Sequence, residues 1–190
     1  SKLRPFNEVD LNFDEKKAAI EKVFTNDDHI LVFYSIIDNN KEYLKLKKVN
    51  YRLDVNRAGT VLDSIERGAV NSYQGYYIKP SINEEHFVAF TYEEKNNRMW
   101  VHYVLMDKFL KVIKTGDLIT EDKNNMTLES VKVNNSGDIM VVVGHLNRRS
   151  SDDEKFSFQK FSVHYVAKDD SKSVVNEITD EEYLFKDLLT

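Results

Sequence analysis

Residues 81–107 read SINEEHFVAFTYEEKNNRMWVHYVLMD, and the order of polar and apolar runs in this stretch decides the fold. A polar turn, Asn83-Glu84-Glu85, leads into an apolar strand, Phe87 to Thr91. A charged loop, Glu94-Lys95-Asn96-Asn97, separates that strand from a second one, which carries Val101-His102-Tyr103 and stops at Asp107. β-Branched and aromatic side chains suit a pleated surface, while Asn, Asp, Gly and Ser suit the turns between, so short apolar runs bounded by such residues predict strands.

The same order recurs on both sides. VHYV at 101–104 reappears at 163–166, and Val49-Asn50-Tyr51 supplies a third Val-x-Tyr mark. Each mark is followed by an aspartate (Asp54, Asp107, Asp169) and then by an apolar pair (Val61-Leu62, Val112-Ile113, Val174-Val175). Each is preceded by a strongly apolar strand: Ile30 to Tyr34, Phe87 to Thr91 and Ile139 to Val143. Polar turns at 26–28, 83–85 and 134–137 introduce those strands, and one more short strand lies ahead of each turn, near 20–25, 76–78 and 128–133. The unit is four strands, A to D, with the marks 52 and 62 residues apart (49 to 101, 101 to 163). Strand B is apolar at nearly every position, as for an inner strand covered on both faces, and strand D reads as shorter and wetter. The B–C connections vary most: Asp38-Asn39-Asn40, then 94–97, then the longer 147–155. Asn135-Ser136-Gly137-Asp138 reads as a hairpin turn, and Gly116-Asp117 as a turn after strand D. Helix signals are poor. Asp14 to Phe24 reads as a short helix or, from Ile20, equally as a strand, and Asp180 to Leu189 as a terminal helical turn.

Tandem antiparallel units of roughly 40 to 60 residues predict an all-β chain built from four-stranded blades of a β-propeller, partial or open. A β-sandwich is the competing fold. The expected organisation is a single β-repeat module over 1–190, with blade-like units at about 18–66, 75–118 and 128–179, and with 6–13 and 183–190 as parts of flanking blades. Three blades are fewer than the usual four to eight, so an incomplete propeller is expected, unless the two terminal segments join as a fourth blade.

The stretches 81–107 and VNNSGDIMVVVGHL (133–146) resemble blades of uncharacterised bacterial cell-envelope β-propeller proteins, over roughly residues 20 to 180. In that group a blade runs from a turn through an apolar strand and a charged loop to a strand ending in Asp. The resemblance implies a propeller fold and a periplasmic or cell-surface setting, with a cytoplasmic one left open. No functional residue carries over from it. The Trp-Asp ending, the sialidase-type Asp box and the kelch double glycine of other propeller classes are missing.

Composition narrows the function classes. The chain has 190 residues, 27 Lys and Arg against 32 Asp and Glu (net −5), no Cys, and 11 Phe, 10 Tyr and 1 Trp. Disulfide scaffolds and Cys-based zinc modules are excluded, and the aromatic content opposes disorder. An acidic balance argues against nucleic acid as a partner. The densest basic stretch, Lys41 to Arg57, alternates Leu44 and Leu46 with Lys45 and Lys47, which predicts a strand with one wet face. No run of 18 apolar residues offers a membrane-spanning segment.

Catalytic and metal signatures are sparse. His29 and His86 share one repeat position and His102 and His164 another, which points to structural roles such as tying blades together. With Asn50 in the first copy, no three-fold metal ring forms, and neither a metal nor another cofactor is expected. No G-x-S-x-G or P-loop occurs. The loop 121–125 and the pair Arg148-Arg149 read as solvating charges. The segment most suited to binding is Asn71 to Tyr77, in which Tyr73, Gln74, Tyr76 and Tyr77 offer flat rings and adaptable amides to a protein or glycan. The function expected is a non-enzymatic binding or scaffolding module of a larger envelope-associated propeller, whose partners are another protein, the remaining blades or a glycan. The alternatives are a propeller-type hydrolase or lyase fragment and a carbohydrate-binding β-sandwich.

Overall fold

The computed structural model describes residues 11, 13, 18–25, 29–50, 59–66, 75–122, 125–146, 158–170 and 173–179. Among them there is no helix, and none is therefore long and apolar enough to cross a membrane. The described residues include twelve strands in three four-stranded antiparallel sheets, each strand lying beside its neighbour in sequence. The first sheet holds β1 (Ala19–Thr25), β2 (His29–Asp38), β3 (Lys41–Asn50) and β4 (Thr60–Glu66). The second holds β5 (Tyr77–Pro80), β6 (His86–Lys95), β7 (Arg98–Asp107) and β8 (Val112–Glu121). The third holds β9 (Met126–Val133), β10 (Ile139–Leu146), β11 (Phe158–Val166) and β12 (Ser173–Thr179). The segment read as helix or strand is a strand from Ala19 onward. The flanking segment 183–190, the expected turn over 180–189, the loop 147–155, Asp54 and Tyr51 lie outside the described residues, as does the segment 6–13 apart from Leu11 and Phe13.

The B–C hairpins of the first two sheets turn on Asn39-Asn40 and Asn96-Asn97. All four residues have positive φ, between 48° and 63°, the backbone that a two-residue hairpin needs and that asparagine tolerates better than most residues. These turns fix the register. His29 faces Asn50 and Asp38 faces Lys41, while His86 faces Asp107 and Lys95 faces Arg98, so the two hairpins superpose at an offset of 57 (29 to 86, 50 to 107). The Val-x-Tyr marks do not share that register. Under the offset, Val101-His102-Tyr103 overlies Leu44-Lys45-Leu46 rather than the mark beginning at Val49. In the third sheet Val163 pairs with Val142, whereas Tyr103 pairs with Phe90, so with Phe87 matched to Ile139 the third mark falls two residues out of step.

The inner strands are buried on both faces. Leu31 to Ile36 in β2 are six consecutive buried residues, as expected for strand B. The expected alternation of β3 holds over its first half, where Lys41, Tyr43 and Lys45 are exposed or half-buried opposite the buried Glu42, Leu44 and Leu46, and it fails at Lys47, which is buried. Lys47 survives burial because its ammonium donates to the Leu11 carbonyl at 3.0 Å and lies 4.8 Å from the Phe13 ring centre. Strand D is the wettest of the four, with Leu62 of β4 and Leu118 of β8 its only buried residues, but only β4 and β12 are short. β8 runs ten residues straight through Gly116-Asp117, which is no turn. The glycine serves close packing instead: a Cβ there would lie 2.5 Å from the Tyr103 hydroxyl.

The chain divides into two compact units, Ser1–Tyr77 and Ile78–Thr190. Within the second unit β9 packs against β6 and β7, and the two sheets share one core. Val88, Phe90, Val101, Tyr103 and Leu105 meet Val131, Val133, Val141 and Val143 in it. Burying each such side chain contributes about 1.5–3 kcal/mol.

Candidate functional site

Two arrangements in the second unit carry chemistry. The first is a polar cluster between the second and third sheets. His145, on β10 and 1% exposed, holds Ser162 of β11 through Nε2 at 2.7 Å. Its Nδ1 lies 2.8 Å from Asp122 Oδ2, close but off the N–H axis, and Lys160 Nζ reaches the same carboxylate oxygen at 3.2 Å and Glu177 at 2.8 Å. With a carboxylate beside Nδ1, the proton belongs there and Nε2 accepts from the serine hydroxyl. Serine, histidine and aspartate in that order form the arrangement that activates a nucleophile. Here the serine is 2% exposed, and through Asp122 the cluster ties the end of β8 to β10 and β11 as a polar joint between sheets.

Further contacts repeat the joint along the same boundary. Thr120 Oγ1 meets His164 Nε2 at 2.7 Å, and Lys114 donates to the Ala167 carbonyl at 2.8 Å and to that of Asp170. The Asn83 amide donates to Asn135 Oδ1 at 3.2 Å, and the His86 ring closes over Gly137, whose φ is +89°. Two expectations change here. Asp122 is no solvating loop charge, since its carboxylate sits against a buried imidazole. His102 and His164 do not share an environment: His102 is half-buried against Asp117 of its own sheet at 2.7 Å, whereas His164 is buried against β8 of the neighbouring sheet.

Burial holds the His145 and His164 pKa values below the ordinary imidazole value of 6.5, outweighing the pull of Asp122 on His145, and His145 adds a smaller repulsion at His164. Well above pH 6.5 both folded and unfolded chains carry neutral imidazoles here. As pH falls through 6.5 the unfolded chain takes up protons that the folded site resists, so stability declines. The expected outcome is a lower denaturant midpoint at about pH 5.5 than at about pH 7.5, with the difference reduced when His145 is replaced by Gln. Equal midpoints at both pH values would contradict the assignment.

The second arrangement is an open groove of about 570 Å³ in the same unit. Lys79 of β5 and Lys132 of β9 line it, with Ile82, Met140 and Tyr165 as its apolar wall and Asp138 at one side. Ile82 is 97% exposed. Asp138 is committed: it accepts the Lys168 amide at 3.0 Å, the Asn134 side chain at 3.0 Å and the Tyr165 hydroxyl, which holds its pKa down. Lys79 has its pKa lowered by burial first and then by the charge on Lys132.

Of the four residues expected to bind, Tyr73 and Gln74 lie outside the described residues. Tyr76 is buried, with its hydroxyl donating to Asp63 at 2.7 Å, and Tyr77 is exposed as the first residue of β5. The residues that the sequence did not single out are Asp122, Ser162, Lys160, Lys79 and Lys132. Ser162 and Lys160 stand two apart on β11, and Asp122, just past the end of β8, meets them only in the folded chain, so no spacing signal joins the three. The two lysines occupy matching places on strand A of successive sheets (79 and 132), a signal that was present.

No protein-family model matches the chain, and no curated protein matches it. Among solved structures, hydrazine synthase of Kuenenia stuttgartiensis is similar over 80% of this chain and 51% of its own, at 12% identity and a TM-score of 0.37. The chain thus spans about half the length of that relative, and a likeness at this level assigns neither fold nor activity.

Proposed function

We propose that the three sheets are consecutive blades of a β-propeller, and that the chain acts as a non-enzymatic binding or scaffolding module of a larger envelope-associated protein, offering its surface to a protein or glycan partner. The observation that carries this reading is the boundary between the second and third sheets. Two meanders of the same strand order share a core through β6, β7 and β9, are riveted by side-chain contacts along the boundary, and leave the last strand, β12, exposed at every residue. That gradient from covered to wet strands is what stacked blades require. Non-enzymatic action is supported by the burial of Ser162 and His145 and by an open groove whose one carboxylate, Asp138, is already engaged by hydrogen bonds.

A crystal structure of the native gene product tests the architecture: successive sheets related by rotation about one axis support it, and two sheets closed face to face as a sandwich overturn it. A fluorophosphonate probe tests the absence of serine chemistry. Labelling that disappears in Ser162→Ala would refute a purely binding role.

A further inference from the structure

We propose that the groove between strand A of the second sheet and strand A of the third binds an organic anion with an apolar body, its acidic group held by Lys79 and Lys132 and its body by Ile82, Met140 and Tyr165. This goes beyond the binding-module reading, adding a small-molecule ligand to the protein or glycan partner proposed there. The argument is charge complementarity on a shaped surface. Two ammonium groups line the same groove against a single carboxylate, Asp138, which is already engaged by a backbone amide, an asparagine and a tyrosine hydroxyl. Among the described residues neither lysine has a carboxylate partner; Lys79 has only the Phe90 ring, 5.9 Å from its ammonium. Their mutual repulsion is relieved when an anion sits between them, so the pair favours a charged ligand over a neutral one.

The apolar part of the wall selects the rest of the molecule. Ile82 is 97% exposed, and Met140 and Tyr165 are 39% and 40% exposed, so ligand contact removes apolar surface from water. The volume of about 570 Å³ lies in the range of small-molecule sites. A simple inorganic anion would leave that wall wet, and a neutral apolar molecule would leave the lysines opposed.

The test uses 8-anilinonaphthalene-1-sulfonate as the anionic probe and N-phenyl-1-naphthylamine as its neutral counterpart, each titrated by fluorescence into the full chain. The expected result is saturable binding of the sulfonate that weakens about tenfold in the double variant Lys79→Met, Lys132→Met, while binding of the neutral probe is retained. Ile82→Ser should weaken both probes. The lysines are exposed, so circular dichroism and the denaturant midpoint should match the parent chain and separate loss of charge from loss of fold. Three results would overturn the proposal: no sulfonate binding, sulfonate binding that survives the double variant, or a parallel loss of the neutral probe. Each of these leaves the blade architecture standing, because that is decided by the arrangement of the sheets.

Discussion

Replacing His145 with alanine is expected to lower the unfolding free energy by about 3 kcal/mol, measured from urea midpoints at neutral pH. The loss has two parts. Removing the ring opens a void in a site where Val143 and the histidine itself are about 1% exposed, and it strands the Ser162 hydroxyl and the Asp122 carboxylate without their partner. Asp122 keeps Lys160 at 3.2 Å, which caps the damage below that of an orphaned buried charge. Ser162→Ala removes one hydroxyl from the same joint and should cost about 1 kcal/mol. If both variants matched the parent within about 0.5 kcal/mol, the cluster would not be holding the sheets together.

Gly116→Ala should be comparably severe despite adding one methyl group. Its Cβ would lie 2.5 Å from the Tyr103 hydroxyl oxygen and 2.7 Å from the carbon that bears it. Tyr103 is 4% exposed in the core shared by the two sheets, so the ring has little room to retreat without opening that core. A loss of about 2–4 kcal/mol is expected, in the range of overpacking and of displaced aromatic groups. A double-mutant cycle identifies the cause. Tyr103→Leu clears the space, so combining it with Gly116→Ala should cost less than the sum of the single changes. Additive losses would show that the glycine serves something other than the tyrosine.

How much of this was legible in the sequence differs by level. Strand order and the alternation of turns with apolar runs came through, because Asn, Gly and Asp turns and β-branched runs act locally. Register did not. A strand exposed on one face betrays its phase by alternation, but Leu31 to Ile36 are buried on both faces, so nothing in that run says which residue points where. Val-x-Tyr then looked like a marker while merely being a common strand composition. Better markers were present: His29 and His86, Asn39-Asn40 and Asn96-Asn97, and Gly59 and Gly116 all stand 57 residues apart. The last pair is informative because each glycine lies under a tyrosine ring, Tyr34 or Tyr103. The buried Lys47 and the contact of Asp122 with His145 were illegible for a different reason. Charge predicts exposure unless a partner distant in sequence compensates it, and such a partner appears only once the chain has folded.

The strictly sequential order of strands within each sheet bears on how the chain reaches its native state. Among the described residues no strand waits for a partner from outside its own sheet, and every pairing closes through the connection to the next strand. Loop-closure entropy is therefore met in small instalments, and contact order within a sheet stays low for an all-β protein. The slow event left over is docking of one preformed sheet on another. In native-state hydrogen exchange the amides of β6 and β7 should open together as one cooperative unit, separately from those of β10 and β11; a single opening shared by all four strands would mean that the sheets form only in each other's company.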